Sequence, residues 1–345
     1  MVSIRDVAKE AGVAISTVSK VLNNYPNVRD ETKERVNRAI EQLGFVPNSI
    51  ASALSSKRSG RVALVLDVNR NAQAVDEIPM QYMIGAINRA KELGMDIITV
   101  FKAMLSDMGA EEMMRYFQSQ SVEGLIVCSL SSKEDDALCG LIKSGKFKTV
   151  LINAPGVDEN TSSIHIDNRK AQYEVAKKFL TESFAMESTA ARGAGVQNTV
   201  KRILYIAGKK EGYVSGERLR GIQELAQEMG LMLLIRAGNF SELEARKLTM
   251  QYAAHKDAII CASDLMAIGA MKALIDMDIY RPVCGFDGVN LMGYAGKQMH
   301  TVGQDFKRTA ACAVEEAGRL IGGEAGREII MPHKLMRIKY LDVIS

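Results

Sequence analysis

Ile15, Ser16, Ser19 and Lys20 are the residues of this chain best suited to reading another molecule. They fall on a short segment, about 15–23, whose other face carries Val18, Val21 and Leu22 at helical spacing. The break Ala11-Gly12-Val13 separates it from a preceding helix that Ser3 caps and that runs through Ala8 to Glu10, with Asp6 at the capping-box distance. Helix, glycine turn, helix is the layout of a helix-turn-helix, whose second helix enters the major groove and offers its first residues to base edges. In that setting Lys20 donates to guanine O6 or N7, Ser16 donates or accepts, and Ile15 meets a thymine methyl. Thr17 and Asn23 bind phosphate oxygens, which fixes register without reading sequence. The same pattern also describes a three-helix bundle that touches no nucleic acid, and residue types alone leave both open.

The surrounding elements follow from pattern. A third helix over 30–43 lines Val36, Ile40 and Leu43 along one stripe, and Gly44 and Pro47 end it. Residues 48–56 form a fourth short helix capped by Asn48, and 55–60 is a polar linker. From Arg61 the pattern changes to short apolar runs at 62–66, 97–100, 124–127, 149–152, 203–206, 231–235, 258–261 and 283–286. Amphipathic stretches such as 84–93, 171–180, 218–229 and 263–275 lie between them. Buried parallel strands with crossover helices have this signature. The expected fold class is α/β, with strands enough for two sheets and ligands bound beyond their carboxyl ends. The expected boundaries are 1–47, a helix-turn-helix unit; 48–60, a short helix and linker; and 61–345, an α/β unit of two sheets.

Composition narrows the function. A chain of 345 residues, 47% apolar and 25% charged, predicts two or three globular domains. Residues 1–60 hold nine basic and six acidic residues, which is the whole net charge of +3; the rest carries 35 of each. A basic head on a neutral body suits a polyanion partner. The five cysteines and four histidines are scattered, so neither a disulfide framework nor a metal cluster is expected. No phosphate-cradling glycine motif, nucleophile–base pair or membrane-length apolar run occurs in the sequence. No cofactor, no enzymatic activity and no membrane partner are expected. The N-terminus has an early acidic residue and no apolar core, which points to the cytoplasm and away from a secreted solute-binding protein.

The stretch Ile4-Arg-Asp-Val-Ala-Lys-Glu-Ala-Gly-Val-Ala-Ile-Ser-Thr-Val-Ser-Lys-Val-Leu-Asn23 resembles the head of the lactose-repressor (LacI/GalR) family of bacterial transcription regulators. So do Val28-Arg-Asp-Glu-Thr-Lys-Glu-Arg-Val36 and Leu43-Gly-Phe-Val-Pro-Asn48. The resemblance implies that the head binds DNA. It also implies that 48–56 is a hinge ordered on DNA, with Ala51 and Leu54 in the minor groove and Leu54 wedged between base pairs. Two departures stand out. Ala14 replaces the Ser usual at the start of the recognition helix, which removes a cap worth about 0.5–2 kcal/mol. Ser52 stands where many relatives have Arg.

The resemblance continues through 61–338, with landmarks at 122–127, 166–171, 217–221, 262–269, 285–287 and 304–306. It implies a type-I periplasmic-binding-protein fold whose two lobes are joined by three crossings, expected near 162–166, 287–301 and 321–324. Arg218 and Asp287 match positions where the family contacts its effector. A guanidinium fork and a carboxylate together suit a polyol such as a sugar. Phe240 matches an aromatic that packs on a sugar face, and Ser263 stands where sugar-responsive relatives often have Asn. Asn153 and Gln304 complete the candidate set. The alternatives are a structural ion pair between lobes for Arg218 and Asp287, and plain core for Phe240. Residues 183–199 are an insertion where relatives have a short turn; 69–79 and 280–285 also depart from the pattern. The implied function is an effector-controlled regulator, acting as a homodimer on a near-palindromic operator. The alternative is a cleft altered or degenerate enough to answer a non-sugar metabolite or a partner protein.

Overall fold

The computed structural model describes residues 2–22, 28–45, 60–68, 77–130, 135–190, 201–289 and 299–338. The chain divides into two compact units, Met1–Ser59 and Gly60–Ser345. The first contains α1 (Ile4–Glu10), α2 (Ile15–Leu22) and α3 (Asp30–Leu43). Val7, Ala8, Ala11, Val18, Val21, Val36 and Ala39 form its core. Gly12 makes the α1–α2 turn at φ +61°, a left-handed conformation that a side chain disfavours. The Val13 N–H donates back to Ala8 O at 3.0 Å and locks that turn. α3 ends as expected on Gly44, left-handed at φ +59°. The expected helix over 48–56, and with it the hinge, lies outside the described residues.

The second unit holds two six-stranded sheets. The first consists of β1 (Arg61–Leu66), β2 (Asp96–Phe101), β3 (Val122–Cys128), β4 (Lys148–Ile152), β5 (Thr161–Ile166) and β11 (Glu328–Met331). Its order is β11-β5-β4-β3-β1-β2, and every pairing is parallel. The second consists of β6 (Arg202–Ala207), β7 (Met232–Ala237), β8 (Ala258–Cys261), β9 (Val283–Cys284), β10 (Met299–Gln304) and β12 (His333–Ile338). Its order is β12-β10-β9-β8-β6-β7, parallel except for the antiparallel β10–β12 edge. The apolar runs are continuous because both faces of each sheet are covered. On β1, Ala63 and Val65 face one core with Phe117 and Leu138, while Val62, Leu64 and Leu66 face another with Ala86, Ala313 and Val314.

The first lobe carries α4 (Glu77–Leu93), α5 (Ala110–Ser119), α6 (Asp136–Lys143) and α11 (Phe306–Ile321). The second carries α7 (Asn168–Ala190), α8 (Tyr213–Met229), α9 (Glu242–Tyr252) and α10 (Asp264–Asp276). Three crossings join the lobes, but only the first lies where the pattern places it, after Ile166. The second falls at residue 305 and not within 287–301, because β10 stays hydrogen-bonded to β9 and β12. The third falls at Pro332 and not within 321–324, because α11 packs on α4 and the chain then adds β11 beside β5 before β12 crosses. The insertion at 183–199 begins as helix, since α7 runs unbroken to Ala190. The Lys201 ammonium, just before β6, lies over the Phe184 ring of α7 at 4.1 Å. No helix among the described residues is long and apolar enough to cross a membrane.

α4 and α11 approach closely at Gly85, where an added Cβ would collide with the Lys307 backbone carbonyl. Gly85→Ala must therefore push the helices apart or shift a backbone, and overpacking of this kind costs about 1–3 kcal/mol. The expected outcome is a lower urea midpoint at unchanged slope.

Candidate functional site

Two surfaces gather the candidate residues. On the head, α2 buries Val18 and Val21 and exposes Ile15, Ser16 and Lys20, with Thr17 and Ser19 half-buried. Ile15 is 45% exposed although apolar, as a base-reading position requires and a core position would not. Ala14 supplies only its carbonyl to the start of α2, accepting from Thr17 N at 2.8 Å and Val18 N at 3.2 Å. The capping box expected at α1 is present, and the Asp6 carboxylate accepts from the Ser3 N–H at 2.8 Å and the Ser3 hydroxyl at 2.7 Å. These bonds hold the Asp6 carboxyl below its usual range. Asn23, Asn48, Ala51 and Leu54 lie outside the described residues.

In the body, the candidates sit where parallel strands end. Among the described residues, five of the seven non-glycine residues with positive φ follow such ends: Ser129 after β3, Asn153 after β4, Asn239 and Phe240 after β7, and Asp287 after β9. Backbone held in this region away from glycine is concentrated at functional sites. Arg218, on α8, is only 3% exposed. Its Nε donates to Asn168 Oδ1 at 2.9 Å, and its Nη1 donates to Ala262 O at 2.5 Å and Asp287 Oδ1 at 3.1 Å. The guanidinium stacks on Phe286, 3.6 Å from the ring centroid. Gln304 Nε2 also donates to Asp287 Oδ1, at 2.9 Å. The structure thus joins Arg218, Asp287 and Gln304. It also corrects the alternative of an ion pair between lobes, because α8 and the turn after β9 belong to the same lobe.

The other candidates are more dispersed. Asn153 lies on the first lobe, and its Nδ2 donates to the Tyr82 hydroxyl at 3.2 Å. Burial raises the Tyr82 pKa well above its ordinary value, and the charges of Cys128 and Asp287 add to that. Asp287 on one lobe is therefore within electrostatic reach of Tyr82 on the other. Phe240 lays its ring where a Cβ on Gly208 would go, so it packs against the end of β6 and joins the core margin. Ser263 is buried, and its hydroxyl accepts from Met266 N at 3.3 Å as the cap of α10, which commits it to the helix.

Three participants were not legible in the sequence. Asn168 holds Arg218 from the start of α7. Asp264, wholly buried, accepts from Gly288 N at 2.7 Å and Val289 N at 3.0 Å with Oδ2, and from the Thr301 hydroxyl at 2.7 Å with Oδ1. The third is Thr301 itself. Asn168 and Asp264 lie in the 166–171 and 262–269 landmarks, but the landmarks give neither a role, since an acidic first residue in a serine-capped helix reads as ordinary helix-dipole chemistry.

Comparison with known proteins agrees with this geometry. The family described as bacterial regulatory proteins, lacI family, matches residues 3–48. The HTH-type transcriptional regulator RegA of Clostridium saccharobutylicum is 29% identical over 304 residues, covering 83% of this chain and 82% of its own. Among solved structures, the Lac repressor dimer bound to operator and the anti-inducer ONPF superposes with a TM-score of 0.75 at 23% identity, covering 98% of this chain and 99% of that one. The transcriptional regulator CelR in complex with cellobiose gives 0.66 at 24% identity, covering 98% and 99%. At these identities the two structures establish the fold: a helix-turn-helix head and a two-lobed type-I periplasmic-binding-like body.

Burial first, and then the Asp287 charge, raise the Asp264 carboxyl above the ordinary aspartate range, against the three hydrogen bonds it accepts. The folded chain therefore holds a proton that the unfolded chain releases. Stability from this group falls as pH rises from about 4 toward the raised folded value. Asp264→Asn should flatten that part of the dependence of melting temperature on pH relative to the parent protein.

Proposed function

Because the chain belongs to the lactose-repressor (LacI/GalR) family of bacterial transcriptional regulators, which are not enzymes, we propose that it binds a near-palindromic operator as a homodimer and that a small effector sets its affinity for DNA. The effector is a sugar or sugar derivative held at the carboxyl ends of the two sheets. The observation that carries this reading is one chain combining two features. A head exposes Ile15, Ser16 and Lys20 on a second helix, and a two-lobed body gathers Arg218, Asp287 and Gln304 at its strand ends. A single small head buries too little DNA for tight specific binding, and two-fold symmetry doubles the contact. The Lac repressor dimer with operator and anti-inducer, and CelR with cellobiose, support the partner classes by likeness of fold. A regulator of transcription in a bacterium works in the cytoplasm, where the DNA is.

The effector acts through differential affinity for two arrangements of the lobes. On this reading lobe closure changes the spacing of the paired 48–60 segments, and that spacing biases DNA binding. In the cleft, Asp287 accepts hydroxyl hydrogen bonds. Arg218 offers Nη2, since Nε and Nη1 already serve protein acceptors. That commitment, with Ser263 already accepting from Met266 N as a cap, supports the second reading: a cleft altered or degenerate enough to answer a non-sugar metabolite or a partner protein. A thermal-shift panel of monosaccharides, disaccharides, sugar phosphates and non-sugar metabolites separates the two, because a ligand of the folded state raises the melting temperature.

Lys20→Ala should weaken specific binding by about 1–3 kcal/mol and relax preference at one base position. Fluorescence anisotropy on operator variants reads this; a uniform loss across sequences would make Lys20 a phosphate contact. Asp287→Ala should abolish the thermal shift given by the best ligand of the panel while operator binding by the ligand-free protein stays near normal. An unchanged shift would remove Asp287 from the effector site.

A further inference from the structure

The turn that carries Asp287 is built around a second carboxylate. Asp287 has φ 128° and Gly288 φ 74°, two consecutive residues in backbone that side chains rarely adopt. Asp287 itself is tied to β10, its N–H donating to Val302 O at 3.1 Å and its carbonyl accepting from Gln304 N at 3.2 Å. The chain then turns away, and the next two N–H groups point at Asp264. Gly288 N reaches Asp264 Oδ2 at 2.7 Å and Thr301 Oγ1 at 3.1 Å, and Val289 N reaches Asp264 Oδ2 at 3.0 Å. On the approach side, the Asp264 N–H donates to Phe286 O at 2.6 Å. Gly285 has no room for a Cβ because Asp264 Oδ1 occupies that space. At Gly288 a Cβ would lie 2.6 Å from the Gly303 Cα. The Phe286–Val289 segment therefore closes over Asp264 from both sides, and Thr301 buttresses the carboxylate from β10 at 2.7 Å.

We propose that Asp264 is the positioning residue of the effector site: by holding the Gly288 and Val289 amides and the Thr301 hydroxyl, it fixes the strained turn that aims the Asp287 carboxylate at Arg218, Gln304 and the ligand. This rests on the reading of Asp287 as an effector contact and deepens it. A buried carboxylate costs free energy unless its lone pairs are met, and here three donors meet them. An aspartate placed only to start α10 needs none of those donors, since Ser263 already caps that helix. The arrangement also places two carboxylates in one buried site. The charges that bear on Asp264 are Asp287, which is itself paired with Arg218, while the Cys261 and Cys284 thiols beside it remain neutral because burial raises their pKa values. The sequence separation explains why no local pattern reveals the device: Thr301 and Asp264 are 37 residues apart.

The test needs no ligand. In the full-length protein, amide exchange of Gly288 and Val289 and the side-chain Nε–H signal of Arg218 are followed by NMR. The parent is compared with Asp264→Asn, Thr301→Val, Thr301→Ser and Asp287→Asn. Loss of one such anchor should speed exchange at Gly288 and Val289 by about tenfold or more and shift the Arg218 signal. This is expected in Asp264→Asn and, at Gly288, in Thr301→Val, with Thr301→Ser restoring the parent values. Asp287→Asn should leave both amides protected. Unchanged exchange and an unmoved Arg218 signal in Asp264→Asn would overturn the proposal. So would equal loss of protection in Asp287→Asn, which would make Asp287 the anchor of its own turn. If Asp264→Asn does not melt cooperatively, Thr301→Val and its Ser rescue decide the matter by the same readouts. The effector reading stands or falls separately, on the thermal shift of Asp287→Ala.

Discussion

A guanidinium cannot shed its charge, so burying Arg218 obliges the fold to answer it. The answer comes from four groups on three parts of the chain. Asn168 at the start of α7, Ala262 O at the end of β8, Asp287 after β9 and the Phe286 ring each take one aspect of the group. Removing any polar partner would leave a buried cation short of an acceptor, which is why these elements meet in one arrangement. Asp287 in turn needs its strained backbone held, and Asp264, Thr301 and Gln304 supply that. The second lobe is organised around one charge that has nowhere else to go.

The same charge gives the site its chemistry. A buried cation and carboxylate form a polar patch in a low dielectric, where an added hydroxyl gains more than it would in water. On the first lobe Asn153 donates to the Tyr82 hydroxyl, whose pKa is raised by burial first and by Asp287 to a lesser degree. A ligand bridging the two lobes would satisfy both sides only when they close, and that is the differential affinity a switch needs.

Much of this was legible in the sequence, and the rest has physical causes. The head was readable because it is local: Gly12, Gly44 and the 15–22 stripe act within a few residues of themselves. Eight of the twelve described strands appeared as apolar runs, and β5, β10, β11 and β12 did not, because β5 and β10 carry Ser, Thr or His inside the sheet and β11 and β12 are part-exposed edges. The second and third crossings were misplaced because strand pairing, not local composition, decides where the chain changes lobes. Arg218 and Asp287 were found by likeness to a family. The roles of Asn168, Asp264 and Thr301 were missed because hydrogen bonds spanning 24 to 50 residues leave no periodic trace. The insertion at 183–199 was recognised by likeness to the family, and its first residues extend α7 to Ala190.

The central claim is that the DNA head and the polar site at the strand ends are thermodynamically coupled. The direct measurement is operator affinity by fluorescence anisotropy at fixed salt, with and without saturating amounts of the ligand that most raises the melting temperature. The account predicts a change of about 5- to 150-fold, together with an equal change in ligand affinity when operator is present, since coupling is reciprocal. Operator affinity that is identical in the presence and absence of a ligand shown to bind would contradict it.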